Sequence, residues 1–132
     1  MRQNKKSKTK FRSICPIAST LDLVGDKWSL LVVRDLLHGK ATYSELASSP
    51  EKIPTNILAD RLRRLEEAGL ILSSAYQERP VRLAYRLTAK GKALGDVLLA
   101  LVRWGKLYIP GTKTYTEATV SSKRGARRPS RK

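Results

Sequence analysis

The period of the hydrophobic pattern changes twice along these 132 residues. Up to Gly69, apolar residues recur three or four apart, the spacing of one helix face. Between Ile71 and Thr88 the pattern shortens to two: Leu83, Tyr85 and Leu87 alternate with Arg82, Ala84 and Arg86, as on a strand. Beyond Thr88 the helical spacing returns and holds to Tyr108. A run of helices, one hairpin and a closing helix therefore predict a mainly α chain with a small β-hairpin wing.

Local signals place the elements. Pro16 suits the first position of a helix carrying Ile17, Leu21 and Val24, with Gly25 at its end. Trp28, Leu31, Val32 and Leu36 mark a second helix, closed by Gly39. Thr42-Tyr43-Ser44-Glu45 is a capping box that starts a short third helix with Leu46 and Ala47 inward, and Ser49-Pro50 stops it. A fourth helix, 55–68, is expected to have Thr55 as N-cap and Gly69 just past its end. Strands follow at 71–76 and 82–88, joined by Gln77-Glu78-Arg79-Pro80 in a hairpin longer than a two-residue turn. Thr88 caps one long last helix, 89–108. Its apolar residues include Leu94, Val97, Leu98, Leu101, Val102, Trp104 and Tyr108. They cover roughly 160° of the circumference, more than the roughly 100° stripe that one core requires. The excess width suggests a second apolar customer, a partner chain; a helix well buried in its own domain is the alternative.

On the fourth helix Leu58, Leu62 and Leu65 fall within about 60° and go inward. Asn56, Asp60, Arg63 and Glu67 lie opposite, flanked by Ala59 and Arg64, and Arg61 sits nearer the buried edge. A short helix, a brief connection, a second helix with a polar outer face and a hairpin make a helix-turn-helix with a wing. Such a helix fits the DNA major groove, its N-terminal residues meeting base edges and its first amides favouring phosphate. Thr55 stands at that N-terminus. Asn56 suits adenine, Arg63 guanine or a phosphate, and the small Ala59 a thymine methyl or a close approach. Arg64 flanks them. Asp60 is the awkward member: it repels phosphate, and it would accept from a cytosine amine or orient an arginine. Arg79 and Arg82 stand where a wing, 76–82, would meet the backbone or minor groove.

The charge agrees with a polyanion partner. Lys and Arg number 27 against 11 acids, a net +16. Most of the excess lies at the ends. Residues 1–12 carry six cations and no acid, and residues 111–132 carry seven cations against Glu117. These read as a basic arm and a basic, disordered tail around a body, 13–110, that is nearly balanced. Loose, salt-sensitive phosphate binding is the function such tails would serve, and plain solubilising sequence is the alternative. Cys15 is the only cysteine, so no internal disulfide forms and a reducing compartment is expected. The basic start leads into Phe11, Ile14 and Ile17 in polar company rather than an apolar run, which does not read as a secretory leader. The longest apolar segment, 97–102, is far too short to span a bilayer.

Catalysis finds little support. His38 is the only histidine and sits near a helix end. Cys15 and His38 lack partners at metal-ligand spacing. Glu66 and Glu67 are consecutive on a helix and point about 100° apart. No cofactor, metal or effector is indicated. The rival readings are a non-sequence-specific nucleic-acid binder, such as a ribosome-associated structural protein, and a winged-helix module that binds proteins. The balanced body argues against the first.

These segments together resemble the HxlR-type winged helix-turn-helix transcriptional regulators of bacteria. The resemblance covers 15–108 and rests on "CPI" at Cys15, "GDKWSLLVVRDLLHG" from Gly25, "YSEL" from Tyr43, "IPTNILADRLRRLEEAGLI" from Ile53, "ERPVRLAYRLTAKG" from Glu78 and "RWG" at Arg103. It implies a cytoplasmic homodimer that binds operator DNA, with the helix from Thr55 in the major groove and the Arg79 region as wing; two-fold symmetry then predicts an inverted-repeat operator, and covering a promoter would make the protein a repressor. It implies that the first and last helices build the dimer, through Ile17 and Leu21 on one and Val97, Leu98, Leu101, Trp104 and Tyr108 on the other. Some members sense oxidants through the cysteine that matches Cys15, whereas a small packed hydrophobe is the plainer role for that residue. The family often has a glycine in the turn before the recognition helix, where this chain has Glu51-Lys52-Ile53-Pro54.

Overall fold

A computed structural model describes residues 10–114. Arg2, Lys5, Lys6 and Lys8 of the basic arm and all the tail cations except Lys113 lie outside the described residues. The order of elements is α1 (Pro16–Val24), α2 (Ser29–Leu37), α3 (Tyr43–Ala47), α4 (Thr55–Glu67), β1 (Ile71–Glu78), β2 (Val81–Leu87), α5 (Ala89–Lys92) and α6 (Gly95–Tyr108). The chain divides into two compact units, the first through Gly95 and the second from Asp96.

The first unit has an aliphatic core. Val24 of α1, Val32, Val33 and Leu36 of α2 and Leu46 of α3 are buried, as are Leu58, Leu62 and Leu65 of α4. Ile53, Leu70, Ile71 and Leu87 complete it from the connections and the base of the hairpin. Burying each such side chain contributes about 1.5–3 kcal/mol before entropy is counted. The α3 capping box forms as expected: Thr42 Oγ1 accepts from the Glu45 amide, and Glu45 accepts from the amides of Ala41 and Thr42. Gly39 and Gly69 end α2 and α4 at φ of 100° and 78°. At the second of these the Leu70 amide reaches the Leu65 carbonyl and the Gly69 amide the Glu66 carbonyl, at 2.9 and 3.0 Å.

The hairpin is antiparallel and pairs Ile71 with Leu87 through to Glu78 with Val81, with an irregularity between Ala75 and Gln77. Its strands are thus longer at the tip than expected, and the expected four-residue connection is a two-residue one, Arg79-Pro80. The bulge near Tyr76 supplies the extra residue that extends pairing toward the tip. The expected inward alternation of Leu83, Tyr85 and Leu87 holds only at the base, since Leu87 is buried, Tyr85 half-buried and Leu83 exposed. An isolated bridge between Thr42 and Ala84, with the Tyr85 amide donating to the Ala41 carbonyl at 2.8 Å, ties the hairpin to the start of α3.

Two expected helix boundaries are corrected. Thr55 does not cap α4; it is the first helical residue, and Pro54 occupies the N-cap with no side-chain bond to offer. The long last helix is two helices, α5 and α6, separated at Ala93 and Leu94. The first of them, α5, packs closely at Gly91. A Cβ there would come within 2.1 Å of the Leu70 carbonyl oxygen and 2.9 Å of Leu87 Cδ2. Backbone meets backbone where α5 crosses the end of α4, and Thr88 Oγ1 and Lys90 Nζ donate to the carbonyls of Gly69 and Ala68 at 2.7 and 2.9 Å. These contacts dock α5 against the residues that end α4.

In the second unit, α6 buries none of its residues. The Trp104 and Tyr108 rings meet in a tilted contact, 5.2 Å between centroids. The helix stops before Pro110, where the Ile109 amide donates to the Gly105 carbonyl at 2.8 Å and Thr112 Oγ1 to the Ile109 carbonyl at 2.9 Å.

Gly91→Ala should lower stability by about 1–3 kcal/mol through this overpacking, measured as a shift in the denaturant midpoint; an unchanged midpoint would contradict the close approach of α5 to Leu70.

Candidate nucleic-acid interface

The outer face of α4 is held in place from three sides. Its inner stripe of Leu58, Leu62 and Leu65 is buried in the first unit. At its start, Tyr43 Oη donates to the Thr55 carbonyl at 2.8 Å, which joins the beginnings of α3 and α4. At mid-helix, Arg61 Nε donates to Asp26 Oδ2 at 2.8 Å. Asp26 lies between α1 and α2, and it also accepts from the amides of Trp28 and Ser29 and from the Ser29 hydroxyl. Partial burial pushes the Asp26 carboxyl upward, but the bonds from Ser29, Arg61 and the two amides outweigh it and hold the group well below the usual carboxylate range.

The turn between α3 and α4 is built on α2. Buried Asp35 accepts a short hydrogen bond from Ser49 Oγ. Arg34 reaches Asp35 at 2.9 Å and grips Glu51 with two nitrogens at 2.8 Å. The hydrogen bond from Arg34 outweighs partial burial and keeps the Glu51 carboxyl low. Lys52 then takes φ of 57°. This is the left-handed region that glycine enters freely, and here a lysine occupies it. Ile53 is buried just beyond.

With α4 so fixed, Thr55, Asn56, Ala59, Arg63 and Arg64 are exposed on its outer side and Asp60 is half-buried among them. Asp60 is not aimed at solvent alone. It accepts from Arg61 Nη1 at 2.5 Å, from Arg63 Nη2 in a shorter contact, and from Arg64 Nη1 at 3.5 Å. Desolvation acts upward on its carboxyl, and the arginines, Arg63 foremost, hold it below its ordinary value. Of the two readings of Asp60, orienting an arginine is the contact present. The arginines differ. The Arg61 side chain is 16% exposed and locked between Asp26 and Asp60, whereas Arg63 is 59% exposed and reaches Glu67 at 3.3 Å as well. Glu66 is occupied elsewhere, accepting from the Ser73 hydroxyl at 3.0 Å.

A groove of about 370 Å³ lies beside this face, lined by Ala59 and Arg63 on α4 and by Tyr43 and Tyr85. Across it stands the wing. Arg79 is at the tip and exposed; Arg82 is also exposed but lies within β2, opposite Gln77, rather than at the tip. Among the described residues, no group of three His, Cys, Asp or Glu is placed to hold a metal. His38 caps the end of α2, its Nδ1 2.8 Å from the Arg34 carbonyl oxygen.

Residues 23–113 match the family described as HxlR-like helix-turn-helix. The chain belongs to that family. An uncharacterized HTH-type transcriptional regulator of Methanothermobacter thermautotrophicus is 40% identical over 95 residues, 72% of each chain. Among solved structures, the proposed transcription factor PA1607 is 39% identical with a TM-score of 0.69, over 78% of this chain and 72% of that one. The redox regulator HypR in its oxidized form is 31% identical with a TM-score of 0.61, over 70% of this chain and 95% of that one. This HxlR-like protein is therefore a transcriptional regulator with a helix-turn-helix DNA-binding fold, and α3, the turn and α4 are that motif.

Other expected site residues lie away from α4. Cys15 is the N-cap of α1 and is exposed in the single chain. Ile17 and Leu21 on α1 are 72% and 53% exposed. On α6, Val97, Leu101, Trp104 and Tyr108 are exposed and Leu98 is half-buried. Ile14, Leu99 and Leu107 are exposed as well and were not singled out from the sequence. Arg12, assigned to a free basic arm, instead pairs with Asp22 of α1 at 2.5 Å. No helix among the described residues is long and apolar enough to cross a membrane.

The Asp26 node carries a pH signature. A carboxyl depressed by folding stabilises fully above its unfolded value, about 3.9, and loses that contribution as pH falls through its lower folded value. Asp26→Asn should therefore cost about 1.5–3 kcal/mol at neutral pH, with the gap from wild type closing only well below pH 4. A gap that is absent at pH 7, in denaturant melts, would remove Asp26 from the account.

Proposed function

We propose that this HxlR-like regulator is a cytoplasmic homodimer that binds an inverted-repeat operator through α4 and the wing and represses by covering a promoter. The observation that carries the reading is the outer face of α4. Thr55, Asn56, Ala59, Arg63 and Arg64 are exposed on a helix whose inner face, start and middle are each tied down. A side chain that must meet a base edge within hydrogen-bond reach needs such a rigid base. In this reading Asn56 pairs with adenine, Arg63 with guanine, and Ala59 admits the groove wall. Thr55 and Arg64 meet phosphate, and Arg79 and Arg82 contact the backbone or minor groove beside it.

Dimerisation rests on two apolar surfaces, Ile17 and Leu21 on α1 and Val97, Leu101, Trp104 and Tyr108 with the half-buried Leu98 on α6. Exposed rows of this kind mark association surfaces in soluble proteins. A two-fold dimer sets two copies of α4 about one DNA turn, roughly 34 Å, apart. Cys15 heads α1, so its oxidation, by an intersubunit bridge or a small-thiol adduct, would act on the dimer; HypR, a redox regulator, gives this role its precedent.

Binding of the purified protein to the DNA upstream of its own gene, beside a scrambled copy and across a salt series, tests the reading. A preference of about a thousandfold or more at physiological salt is expected. Equal affinity with a steep salt slope would instead favour the non-sequence-specific binder. In the same assay Arg63→Ala should cost about 1–3 kcal/mol of discrimination, whereas an equal loss on both DNAs would reassign Arg63 to phosphate. Leu101→Asp should shift sedimentation from dimer to monomer, and an unchanged dimer would sink the role given to α6.

A further inference from the structure

We propose that Asp60 is a built-in competitor for the DNA backbone, a positioning residue that holds Arg63 and Arg64 against indiscriminate phosphate contact. The inference rests on α4 being the recognition helix. A carboxylate amid the exposed arginines of such a helix repels phosphate, so it needs an account.

Its placement supplies one. Asp60 cannot easily swing away, because Arg61 holds it at 2.5 Å while Asp26 holds Arg61 at 2.8 Å from behind. From this fixed point Asp60 accepts from Nη2 of Arg63 and Nη1 of Arg64. Arg61 is committed to the fold; Arg63 and Arg64 are the guanidiniums that DNA can reach. Random backbone brings a full negative charge toward Asp60 and must draw both arginines off it. A guanine edge offers two acceptors, O6 and N7, without that charge. Arginine has five N–H donors. Arg63 spends one on Asp60 and one, at 3.3 Å, on Glu67, so donors remain for a base while the pair to Asp60 persists. Asp60 thus penalises phosphate more than it penalises the base edge, and it widens the gap between operator and random DNA.

The test is binding of the full-length protein to a random-sequence duplex across a salt series. Asp60→Asn should bind random DNA about 3–10 times tighter at fixed salt, and its log–log salt slope should steepen by about one, the increment of a single added phosphate contact. Asp60→Ser, which removes the same charge with a smaller side chain, should show the same gain. Asp60→Glu should stay near wild type. In an Arg63→Gln/Arg64→Gln background the gain should disappear, an outcome a merely structural role for Asp60 would not produce. Unchanged or weaker random-DNA binding with an unchanged slope, or a gain that survives loss of both arginines, would overturn the proposal. A wild type that binds operator and random DNA alike would contradict the proposed function instead, because the effect of Asp60 is read on random DNA alone.

Discussion

The ion pair between Asp26 and Arg61 sets the geometry on which the outer face of α4 depends. It spans 35 positions in the chain and joins the connection between α1 and α2 to the middle of α4. Four donors converge on Asp26, so the carboxylate is satisfied although partly buried, and a satisfied charge in low dielectric holds its partners firmly. Through Arg61 the constraint passes to Asp60, and through Asp60 to Arg63 and Arg64. Rigidity from the buried side of the domain thus reaches the side chains that DNA would touch.

A second polar node does the same for the turn. Asp35, buried on α2, takes Ser49, and its neighbour Arg34 takes Glu51. Between these anchors and buried Ile53 the chain has little freedom left, and Lys52 is carried to positive φ. An L-residue in that region costs roughly 1–2 kcal/mol. The bidentate Arg34–Glu51 pair and the burial of Ile53 offset it. The turn therefore holds a lysine at positive φ because tertiary anchors stand on both sides of it.

What was legible in the sequence followed from local physics. The stripe of Leu58, Leu62 and Leu65, the Thr42–Glu45 capping box and the glycine ends of α2 and α4 each depend on residues within a turn or two. The family segments fixed their order. The failures were contacts between distant residues. Nothing near Gly91 announces that a carbonyl twenty-one positions earlier will press on it, and the helical spacing runs on through the break at Ala93 and Leu94. Thr55 looked like a cap by residue type, but Pro54 precedes it with the extended backbone that an N-cap needs. The hairpin tip was misjudged because a bulge near Tyr76 shifts the pairing and extends it outward. Asp60 was recognised as anomalous from its sign alone. Its explanation needed three arginines, and the anchor of one of them, in view together.

In the proposed function the apolar rows on α1 and α6 pair two copies of α4, because one α4 would read only half of an inverted repeat. Hydroxyl-radical footprinting of the full-length protein on its own upstream DNA tests that pairing most directly. The account predicts two protected patches on one side of the duplex, related by a dyad and centred about one helical turn, roughly 34 Å, apart. A single patch, or uniform protection without symmetry, would contradict it.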